Sequence, residues 1–374
     1  MSASRTPPAF AVITGGGTSG HVLPALAIAD ALAANGHRAD EIVYIGTSRG
    51  IETRLLPETP YPHHFLDVVG LQRSLSRRNL AFPFKLVRST IAARRLLRCY
   101  RPAVVVNLGG YASFPATFAA RLRRIPVVVV SFDRLPGLAS RITSRFATVC
   151  AVAFEGSKLR RARFTGAPVR RDLLLLDRDA ARAGARSELG VDPRRLLVVA
   201  FGGSLGSKVL NDAVGGMVDL LGDRADIAVR HVVGDRFLAG AAAQRSGERG
   251  IMYDVVGYED QMVPVYAAAD LMITRAGAST IAELSVAGMP AVIVPWAGAA
   301  DNHQADNARI LGDAGAAIVV SETELTAERL ATIVAGFADD RESLAPYAAA
   351  AAEAGQPHRS GRLVAVIEEV AVGR

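Results

Sequence analysis

Two glycine-rich turns carry the clearest chemistry in the sequence, because each stands between an apolar run of strand length and a helical stretch. The turn Gly15–Gly20 follows the run Phe10–Ile13, and the turn Gly202–Gly206 follows Leu196–Phe201. Glycine lets a backbone approach a ligand closely, and the first N–H groups of the following helix can bind an anion. The turns therefore favour a phosphate contact, and the alternative is a tight turn without a ligand.

Two common nucleotide-binding patterns are missing from these turns. A dinucleotide fold places Asp or Glu at the end of its second strand to bind ribose hydroxyls, but the strand predicted at Ile42–Ile45 ends in Gly46-Thr47-Ser48. The chain also lacks the Gly-x-x-x-x-Gly-Lys-Ser/Thr motif of P-loop proteins. NAD binding and P-loop hydrolysis are both disfavoured.

A second group of polar residues lies around position 280. The sequence Arg275-Ala-Gly-Ala-Ser-Thr280 joins an apolar run to a helix, whose start predicts a diphosphate site. Glu283 lies one turn further, where it can accept two ribose hydroxyls or, alternatively, cap the helix after Thr280. The stretch Asp301-Asn-His-Gln-Ala-Asp-Asn307 then carries polar side chains suited to sugar hydroxyls.

Charge divides the chain into a basic and an acidic half. Residues 1–165 carry 23 Lys and Arg against 8 Asp and Glu, residues 166–374 carry 20 against 28, and the whole chain has a net charge of +7. A basic half attracts nucleic acid, an anionic membrane or a phosphorylated substrate. Two cysteines exclude a disulfide framework, and we find neither an apolar run of membrane-spanning length nor a secretion pattern. We expect a soluble cytoplasmic protein.

Apolar runs of strand length alternate with helical stretches along the 374 residues, so we expect an α/β protein with parallel sheets. Because one glycine turn opens each half, we expect two Rossmann-like domains that face each other across a cleft. The predicted domains are 1–165 and 166–350, followed at 351–374 by a C-terminal helix, broken at Pro357, whose domain the sequence does not indicate. A charged linker helix is predicted at Arg170–Pro193, with Asp177-Arg178-Asp179 on a solvated face.

Six motifs, in order and at matching spacing, make the chain resemble the MurG family of peptidoglycan glycosyltransferases along nearly its whole length. They are Gly16-Gly-Thr-Ser-Gly-His-Val-Leu-Pro24, Gly109-Gly-Tyr-Ala-Ser113, Gly166-Ala-Pro-Val-Arg170, Gly202-Gly-Ser-Leu-Gly206, Arg275-Ala-Gly-Ala-Ser-Thr280 with Glu283, and Asp301-Asn-His-Gln304 with Asn307. The resemblance implies the two-domain GT-B fold. It also implies inverting transfer of N-acetylglucosamine from UDP-N-acetylglucosamine to the muramyl 4-hydroxyl of lipid I, which gives lipid II for peptidoglycan synthesis.

The resemblance also implies roles for individual donor-side residues. Glu283 binds the ribose, and Glu259 stands at the uracil-contacting position, where a backbone group serves and the side chain matters little. The remaining implied donor contacts are Ser204, Gly277, Ala278, Ser279 and Thr280 at the diphosphate, His303 and Gln304 at the sugar hydroxyls, Thr18, Ser19 and Gly20 of the first turn, and Arg170, which resembles the donor-contacting arginine of the family.

On the acceptor side, the resemblance implies His21, Tyr111 and Thr18. After the strand Val127–Val130 the family has a Glu-Gln-Asn stretch, whereas this chain has Ser131-Phe132-Asp133. Asp133 therefore stands where the family has the Asn of its binding site for the sugar acceptor. An amide that can donate and accept hydrogen bonds is replaced by a carboxylate that can only accept them. This departure keeps open a related transferase with the same donor and another glycolipid or small-molecule acceptor. A third hypothesis is a non-catalytic scaffold for wall synthesis.

His21 is the predicted catalytic base, because imidazole titrates near neutrality and can take the proton of an attacking hydroxyl. The alternative is that His21 only orients the phosphate loop. Helix N-termini and arginine can supply the positive charge for a departing UDP. We therefore expect no cofactor and no required metal ion, with UDP-N-acetylglucosamine as a substrate.

The segment Gly70–Pro102 predicts contact with a membrane, since it carries nine basic residues, no acidic one and interspersed apolar side chains. The predicted membrane residues are Arg73, Arg77, Arg78, Phe82, Phe84 and Lys85. The alternative is an amphipathic core helix with a solvated arginine face, and no nucleic-acid recognition motif is present. Together with the lipid acceptor, this pattern predicts the cytoplasmic face of the bacterial cell membrane. The expected partners are undecaprenyl-linked lipid I, an anionic membrane surface and the cell-wall synthesis machinery.

Overall fold

The computed structural model describes residues 7–17, 19–68, 82–241, 244–246, 250–299 and 302–373. The chain divides into two compact units. Unit 1 contains Met1–Arg171 and the C-terminal stretch Pro357–Arg374, and unit 2 contains Asp172–Gln356. The end of the chain therefore groups with its beginning, an assignment that the sequence did not indicate.

Unit 1 is built on a parallel sheet whose seven described strands have the order β3-β2-β1-β4-β5-β6-β7. The central strands are buried runs of Val and Ile, as parallel strands covered on both faces must be. The strands are β1 (Ala11–Thr14), β2 (Ile42–Thr47), β3 (His63–Leu66), β4 (Val104–Asn107), β5 (Val127–Ser131), β6 (Val149–Val152) and β7 (Ala162–Phe164).

Helices follow the strands of unit 1 and cover its sheet. Val12, Val43 and Val129 of the strands pack in one core with Leu97 and Ala116 of the helices. The helices that precede unit 2 are α1 (Ser19–Ala34), α2 (Glu52–Leu55), α3 (Phe82–Tyr100), α4 (Phe114–Leu122) and α5 (Leu138–Thr143).

Unit 2 repeats the plan with a parallel sheet whose six described strands have the order β10-β9-β8-β11-β12-β13. In both units the strand that opens the unit lies inside the sheet, and a glycine turn follows its carboxyl end. The strands are β8 (Leu196–Phe201), β9 (Ile227–Val232), β10 (Met252–Val256), β11 (Leu271–Thr274), β12 (Ala291–Ile293) and β13 (Ala317–Val319). The predicted α/β class with two parallel sheets is confirmed.

The remaining helices begin at the boundary between the units and run to the end of the chain. They are α6 (Arg171–Leu174), α7 (Arg178–Glu188), α8 (Lys208–Leu220), α9 (Asp235–Leu238), α10 (Met262–Ala268), α11 (Ala278–Ala287), α12 (His303–Asp313), α13 (Ala327–Asp339), α14 (Leu344–Arg359) and α15 (Arg362–Val372). Helix α15 contacts α1 and strands β4, β5 and β6 of unit 1.

Two sequence-based predictions about helices were wrong. The C-terminal helix does not break at Pro357, because α14 continues to Arg359. Proline removes one hydrogen bond there, but close packing supports the segment: a Cβ on Gly166 would lie 2.3 Å from the carbonyl oxygen of Pro357. Arg178 does not lie on a solvated face, since its guanidinium donates to backbone carbonyls of unit 2, whereas Asp177 and Asp179 are exposed.

Candidate functional site

The second glycine turn leads into α8 through backbone that only glycine tolerates. Gly203 and Gly206 have φ values of 85° and 66°, and a Cβ on Gly206 would lie 2.1 Å from the carbonyl oxygen of Val233. Ser204 is exposed at the tip of the turn, and the Oγ of Ser207 caps α8 by accepting from the N–H of Leu210. The turn therefore presents exposed backbone and a hydroxyl group at the start of a helix, an arrangement suited to an anion.

The start of α11 is a second position in unit 2 that suits an anion. Gly277 is the N-cap of this helix and has no side chain that could accept a capping hydrogen bond. The first backbone N–H groups of α11 therefore have no acceptor within the helix. The Oγ of Ser279 is buried and, among the described residues, has no hydrogen-bond partner. A buried hydroxyl normally has one, so a phosphate oxygen at this helix start would satisfy it. Ala278 is buried here and Thr280 is half-buried.

Glu283 does not cap this helix. A capping box would need Thr280 at the N-cap, but the N-cap is Gly277, so the capping alternative is wrong. The Oε2 of Glu283 instead accepts a hydrogen bond from the Oη of Tyr266, at 3.2 Å. Glu283 is half-buried, whereas Tyr266 is fully buried. A carboxylate held by a buried phenol, beside a helix start that suits an anion, fits a ligand that carries both hydroxyls and phosphates.

Arg275 links the starts of α8 and α11. Its Nη2 donates to the Oγ of Ser207 at 2.6 Å and pairs with Glu322, while its Nη1 donates to the carbonyl of Val294 at 3.1 Å. Arg275 is 7% exposed. The sequence places Arg275 in a motif but indicates no role for it. It also does not indicate Glu322, because the two residues of this ion pair are 47 positions apart.

Gln304 and Asn307, in the first half of α12, are hydrogen-bonded to the backbone just before α11. The Oε1 of Gln304 accepts from the backbone N–H groups of Ala276 and Trp296, at 3.2 and 3.0 Å. The Nδ2 of Asn307 donates to the carbonyl oxygen of Ala276 at 3.2 Å. The structure therefore brings Gln304 next to Gly277, and His303 opens the same helix. Among the described residues, the Nε2 of Gln304 makes no hydrogen bond with the protein.

The side chain of Glu259 makes several hydrogen bonds that the sequence did not indicate. Its Oε2 accepts from Arg230, at 2.8 Å from Nε and 2.6 Å from Nη2, and its Oε1 accepts from the N–H of Gln261. Arg230 also pairs with Asp254. The carboxylate thus fixes the loop after β10, where the sequence predicted only a backbone contact to the base.

In unit 1, the first glycine turn encloses a carboxylate that the sequence did not single out. Glu52 is fully buried, and its Oε1 accepts from the N–H groups of Gly17 and Thr47, both at 3.1 Å. A Cβ on Gly16 would lie 2.3 Å from this oxygen, and one on Gly50 would lie 1.9 Å from Oε2. The signal in the sequence was the pair of glycines around Glu52, which is visible only once the fold is known.

His21 lies in the first turn of α1, beside residues from two other motifs. Its ring lies 6.1 Å from that of Phe132, and Cβ atoms on Gly109 or Gly110 would come within 3.7 Å of it. Burial lowers the pKa of His21, and the charges of Asp133 and Glu52 act in the opposite direction. A lowered pKa leaves the imidazole neutral at pH 7, the form that accepts a proton.

Tyr111 packs against the first glycine turn, where a Cβ on Gly17 would lie 2.7 Å from its ring. Burial, and then the charge of Glu52, raise the pKa of Tyr111. Gly20 is exposed at the start of α1, and Arg170 is half-buried at the end of unit 1. The structure thus brings His21, Tyr111 and Asp133 into one region of unit 1.

Several predicted residues lie outside the described part of the chain. These are Thr18, Arg73, Arg77, Arg78, and the side chains of Ser19 and Phe82. Of the other predicted membrane residues, Phe84 on α3 is 81% exposed, and Lys85 pairs with Asp67 at 3.6 Å. None of the helices in the described ranges is long and apolar enough to cross a bilayer. Within those ranges, no three His, Cys, Asp or Glu side chains are grouped to share a metal ion.

Two family models match the chain. The glycosyltransferase family 28 N-terminal domain matches residues 11–152, and the family 28 C-terminal domain matches residues 197–362. A relative from Desulforudis audaxviator is 38% identical over 372 residues, covering 96% of this chain and 98% of the relative. A relative from Nocardioides sp. is 40% identical over 366 residues, covering 97% and 98%. Both are named UDP-N-acetylglucosamine–N-acetylmuramyl-(pentapeptide) pyrophosphoryl-undecaprenol N-acetylglucosamine transferase.

Solved structures agree on the fold. The crystal structure of Acinetobacter baumannii MurG is similar with a TM-score of 0.72 and 28% identity, covering 97% of this chain and 99% of that one. The glycosyltransferase of kitacinnamycin gives a TM-score of 0.68 at 17% identity, covering 98% and 99%, which is a likeness of fold alone. The predicted GT-B fold class is confirmed.

Proposed function

The chain belongs to glycosyltransferase family 28 and, within it, to the MurG transferases, and from this premise we propose that it makes lipid II. It transfers N-acetylglucosamine from UDP-N-acetylglucosamine to the muramyl 4-hydroxyl of lipid I, with inversion at the anomeric carbon. The observation that carries this function is the near full-length identity of 38–40% to relatives named for the reaction. The two linked anion-binding positions of unit 2 support it.

On the donor side, we propose that unit 2 binds UDP-N-acetylglucosamine. The N–H groups at Gly277, Ala278 and Ser279 and the turn at Ser204 bind the diphosphate, because a helix N-terminus carries partial positive charge. Glu283 accepts the ribose hydroxyls, backbone at Glu259 contacts the base, and the remaining contacts are Thr280, Arg170, His303 and Gln304. Sequence motifs suggest these roles, and the hydrogen bonds of Gln304 and Glu283 are compatible with them.

On the acceptor side, we propose that unit 1 supplies the base. The 4-hydroxyl oxygen of lipid I attacks the anomeric carbon, its proton passes to the imidazole of His21, and the bond from the anomeric carbon to the β-phosphate oxygen breaks. The electron pair leaves with UDP, whose added negative charge the helix start of α11 stabilises. Asp133 and Tyr111, which lie near His21, complete the proposed acceptor residues.

The test is an acceptor screen with purified protein and labelled UDP-N-acetylglucosamine. We expect label transfer to a lipid I analogue, a β-linked disaccharide product and stoichiometric release of UDP. Transfer only to another glycolipid or small molecule would support the alternative acceptor that Asp133 kept open. Binding of the donor without transfer to any acceptor would contradict an enzymatic function.

We also propose that helix α3 attaches the protein to an anionic membrane surface. Phe84, Val87 and Ile91 are spaced to share one face of α3 and are 81%, 59% and 49% exposed. Basic residues accompany them on the helix, which suits a surface that holds an undecaprenyl-linked acceptor. We propose the cytoplasmic face because the donor of the proposed reaction, UDP-N-acetylglucosamine, is a cytoplasmic metabolite.

The membrane proposal predicts that Phe84→Glu weakens binding to anionic vesicles by about 10- to 100-fold, since burial of one large apolar side chain contributes about 1.5–3 kcal/mol. Co-sedimentation at low and high salt measures it. Leu175→Glu is the matched control, because Leu175 is 70% exposed but lies in unit 2. Equal pelleting of both variants with wild type would refute the attachment by α3.

A further inference from the structure

Glu283 has a buried support that the proposed mechanism does not use. Tyr266, on α10, is fully buried, and its Oη donates to the Oε2 of Glu283, on α11, at 3.2 Å. A carboxylate on a helix surface ordinarily rotates among several rotamers and loses that freedom when it binds a ligand. A fixed partner for one oxygen restricts the rotation before the ligand arrives.

The two helices that carry this pair are joined by one side chain. The Nε of Arg178 donates to the carbonyl oxygen of Tyr266 at 3.1 Å, and its Nη2 donates to that of Ala269 at 2.7 Å. Its Nη1 donates to the carbonyl oxygen of Gly288, just after α11, at 3.2 Å. One guanidinium therefore satisfies carbonyls at the carboxyl ends of both helices, where positive charge is also favoured.

Two further arginines of α7 hold the end of α10 in the same way. Arg182 and Arg186, one and two turns after Arg178, donate to the carbonyl oxygen of Ala268 at 3.2 and 3.1 Å, and both pair with Asp270. Helix α7 thus fixes the carboxyl end of α10. Arg178, which the sequence predicted on a solvated face, therefore belongs to the group of arginines that supports the end of α10.

We propose that Tyr266 and Arg178 are positioning residues for ribose recognition. Tyr266 sets the orientation of the Glu283 carboxylate, and Arg178 sets the spacing between the helices that carry the two side chains. This inference rests on the proposed function, since it takes the ribose hydroxyls of the donor as the ligand of Glu283.

The experiment compares donor kinetics of wild type, Tyr266→Phe, Glu283→Ala and the double variant. Phenylalanine keeps the ring and removes only the hydroxyl group. We expect Tyr266→Phe to raise the KM for UDP-N-acetylglucosamine by about 3- to 10-fold, as for the loss of one hydrogen bond, with kcat changed less than about twofold. In the Glu283→Ala background the same substitution should have no further effect on KM.

A donor that lacks the ribose hydroxyls separates positioning from a general structural effect. We expect 2′,3′-dideoxy-UDP-N-acetylglucosamine to lose most of the difference between wild type and Tyr266→Phe. The matched control is Tyr253→Phe, which removes another buried hydroxyl of unit 2, one bonded to His231 at 2.8 Å. It should cost similar stability in urea and leave the donor KM unchanged.

Arg178→Lys provides a second variant if Tyr266→Phe folds poorly. Lysine keeps the charge but cannot bond to the carbonyls of both helices at once. We expect Arg178→Lys to raise the donor KM in the wild-type background and to cause no further increase in the Glu283→Ala background.

Different failures of this experiment have different meanings. If Glu283→Ala leaves the donor KM unchanged, the proposed ribose contact itself is wrong. If Glu283→Ala raises KM but Tyr266→Phe does not, the positioning role is overturned. It is also overturned if the effects of the two substitutions multiply in the double variant, or if Tyr266→Phe weakens binding of the 2′,3′-dideoxy donor to the same extent.

Discussion

Glu283 shows how a single residue changes meaning once its neighbours are known. From sequence it could equally cap a helix, and only the position of the N-cap at Gly277 removes that option. We expect Glu283→Ala to raise the donor KM by about 10- to 150-fold, because charge-assisted hydrogen bonds contribute about 1.5–3 kcal/mol. Steady-state kinetics with varied donor measures it, and Glu353→Ala, at an exposed glutamate of α14, is the control. A folded variant with normal donor KM would contradict the role.

Substitution of His21 should change the turnover number rather than donor binding. We expect His21→Ala to lower kcat by about 10²- to 10⁴-fold, as for a lost general base, with the donor KM nearly kept. Because burial lowers the pKa of His21, wild-type kcat/KM should fall with acidification only below the ordinary value of about 6.5. His63→Ala, elsewhere in unit 1, is the control. A loss confined to donor affinity would instead assign His21 to the phosphate loop.

Glu52 marks the limit of what single residues reveal in a sequence. The motif residues could be found from their types and spacing, because glycines after strands and polar residues after helix starts have recognisable local patterns. Glu52 belongs to none of these, since its partners Gly17 and Thr47 come from separate strand ends. The same holds for Glu322 and Tyr266, whose roles depend on contacts between distant positions.

At the scale of elements, strands formed by apolar runs were predictable, and several short strands were not. Strand β8 matches its predicted bounds, and β2 and β5 begin at their predicted residues, because each consists largely of apolar residues. Strands β3, β6, β7 and β13 have three or four residues. Such segments are strands only because a neighbouring strand pairs with them, and sequence patterns do not carry that information.

The turn before α8 gives a prediction about an element rather than a side chain. We expect Gly206→Ala to destabilise unit 2 by about 2–4 kcal/mol and to weaken UDP binding, because its φ is 66° and the added Cβ would lie 2.1 Å from a carbonyl oxygen. Urea unfolding and calorimetric titration with UDP measure the two effects. Gly215→Ala is the matched control, since that glycine lies within α8 with open space around it. It should stabilise the helix by about 0.5–1 kcal/mol; equal behaviour of the two variants would refute the argument.

At the scale of the whole molecule, each unit contains a histidine whose pKa burial lowers to well below pH 7. Burial lowers the pKa of His231 in unit 2 and of His358 in unit 1 to about 4. The Nδ1 of His358 accepts from the N–H of Ala167 at 2.9 Å, so it cannot carry a proton while that bond exists. The His231 ring lies between the Oη of Tyr253 and the Oδ1 of Asn211.

We therefore expect stability to be lost on mild acidification. A folded pKa near 4, below the unfolded value of about 6.5, means that the unfolded chain binds more protons between these values. Stability is unaffected above about pH 6.5 and falls as the pH drops toward 4, by up to about 3 kcal/mol for each histidine. Urea unfolding from pH 7.5 to 5 measures it, with far-ultraviolet circular dichroism following both units and fluorescence of Trp296, the single tryptophan, following unit 2. His358→Asn, which keeps an acceptor but does not titrate, should reduce the pH dependence of unit 1, and an unchanged slope would contradict the assignment.

The return of the chain to unit 1 has a consequence for its synthesis. Strands β1 to β7 leave the ribosome first, but α15, which contacts β4, β5, β6 and α1, is translated after all of unit 2. The nascent N-terminal sheet therefore keeps part of its apolar surface uncovered for as long as it takes to make unit 2, whereas unit 2 is contiguous and can fold as it emerges. The part of the protein that is made first is completed last.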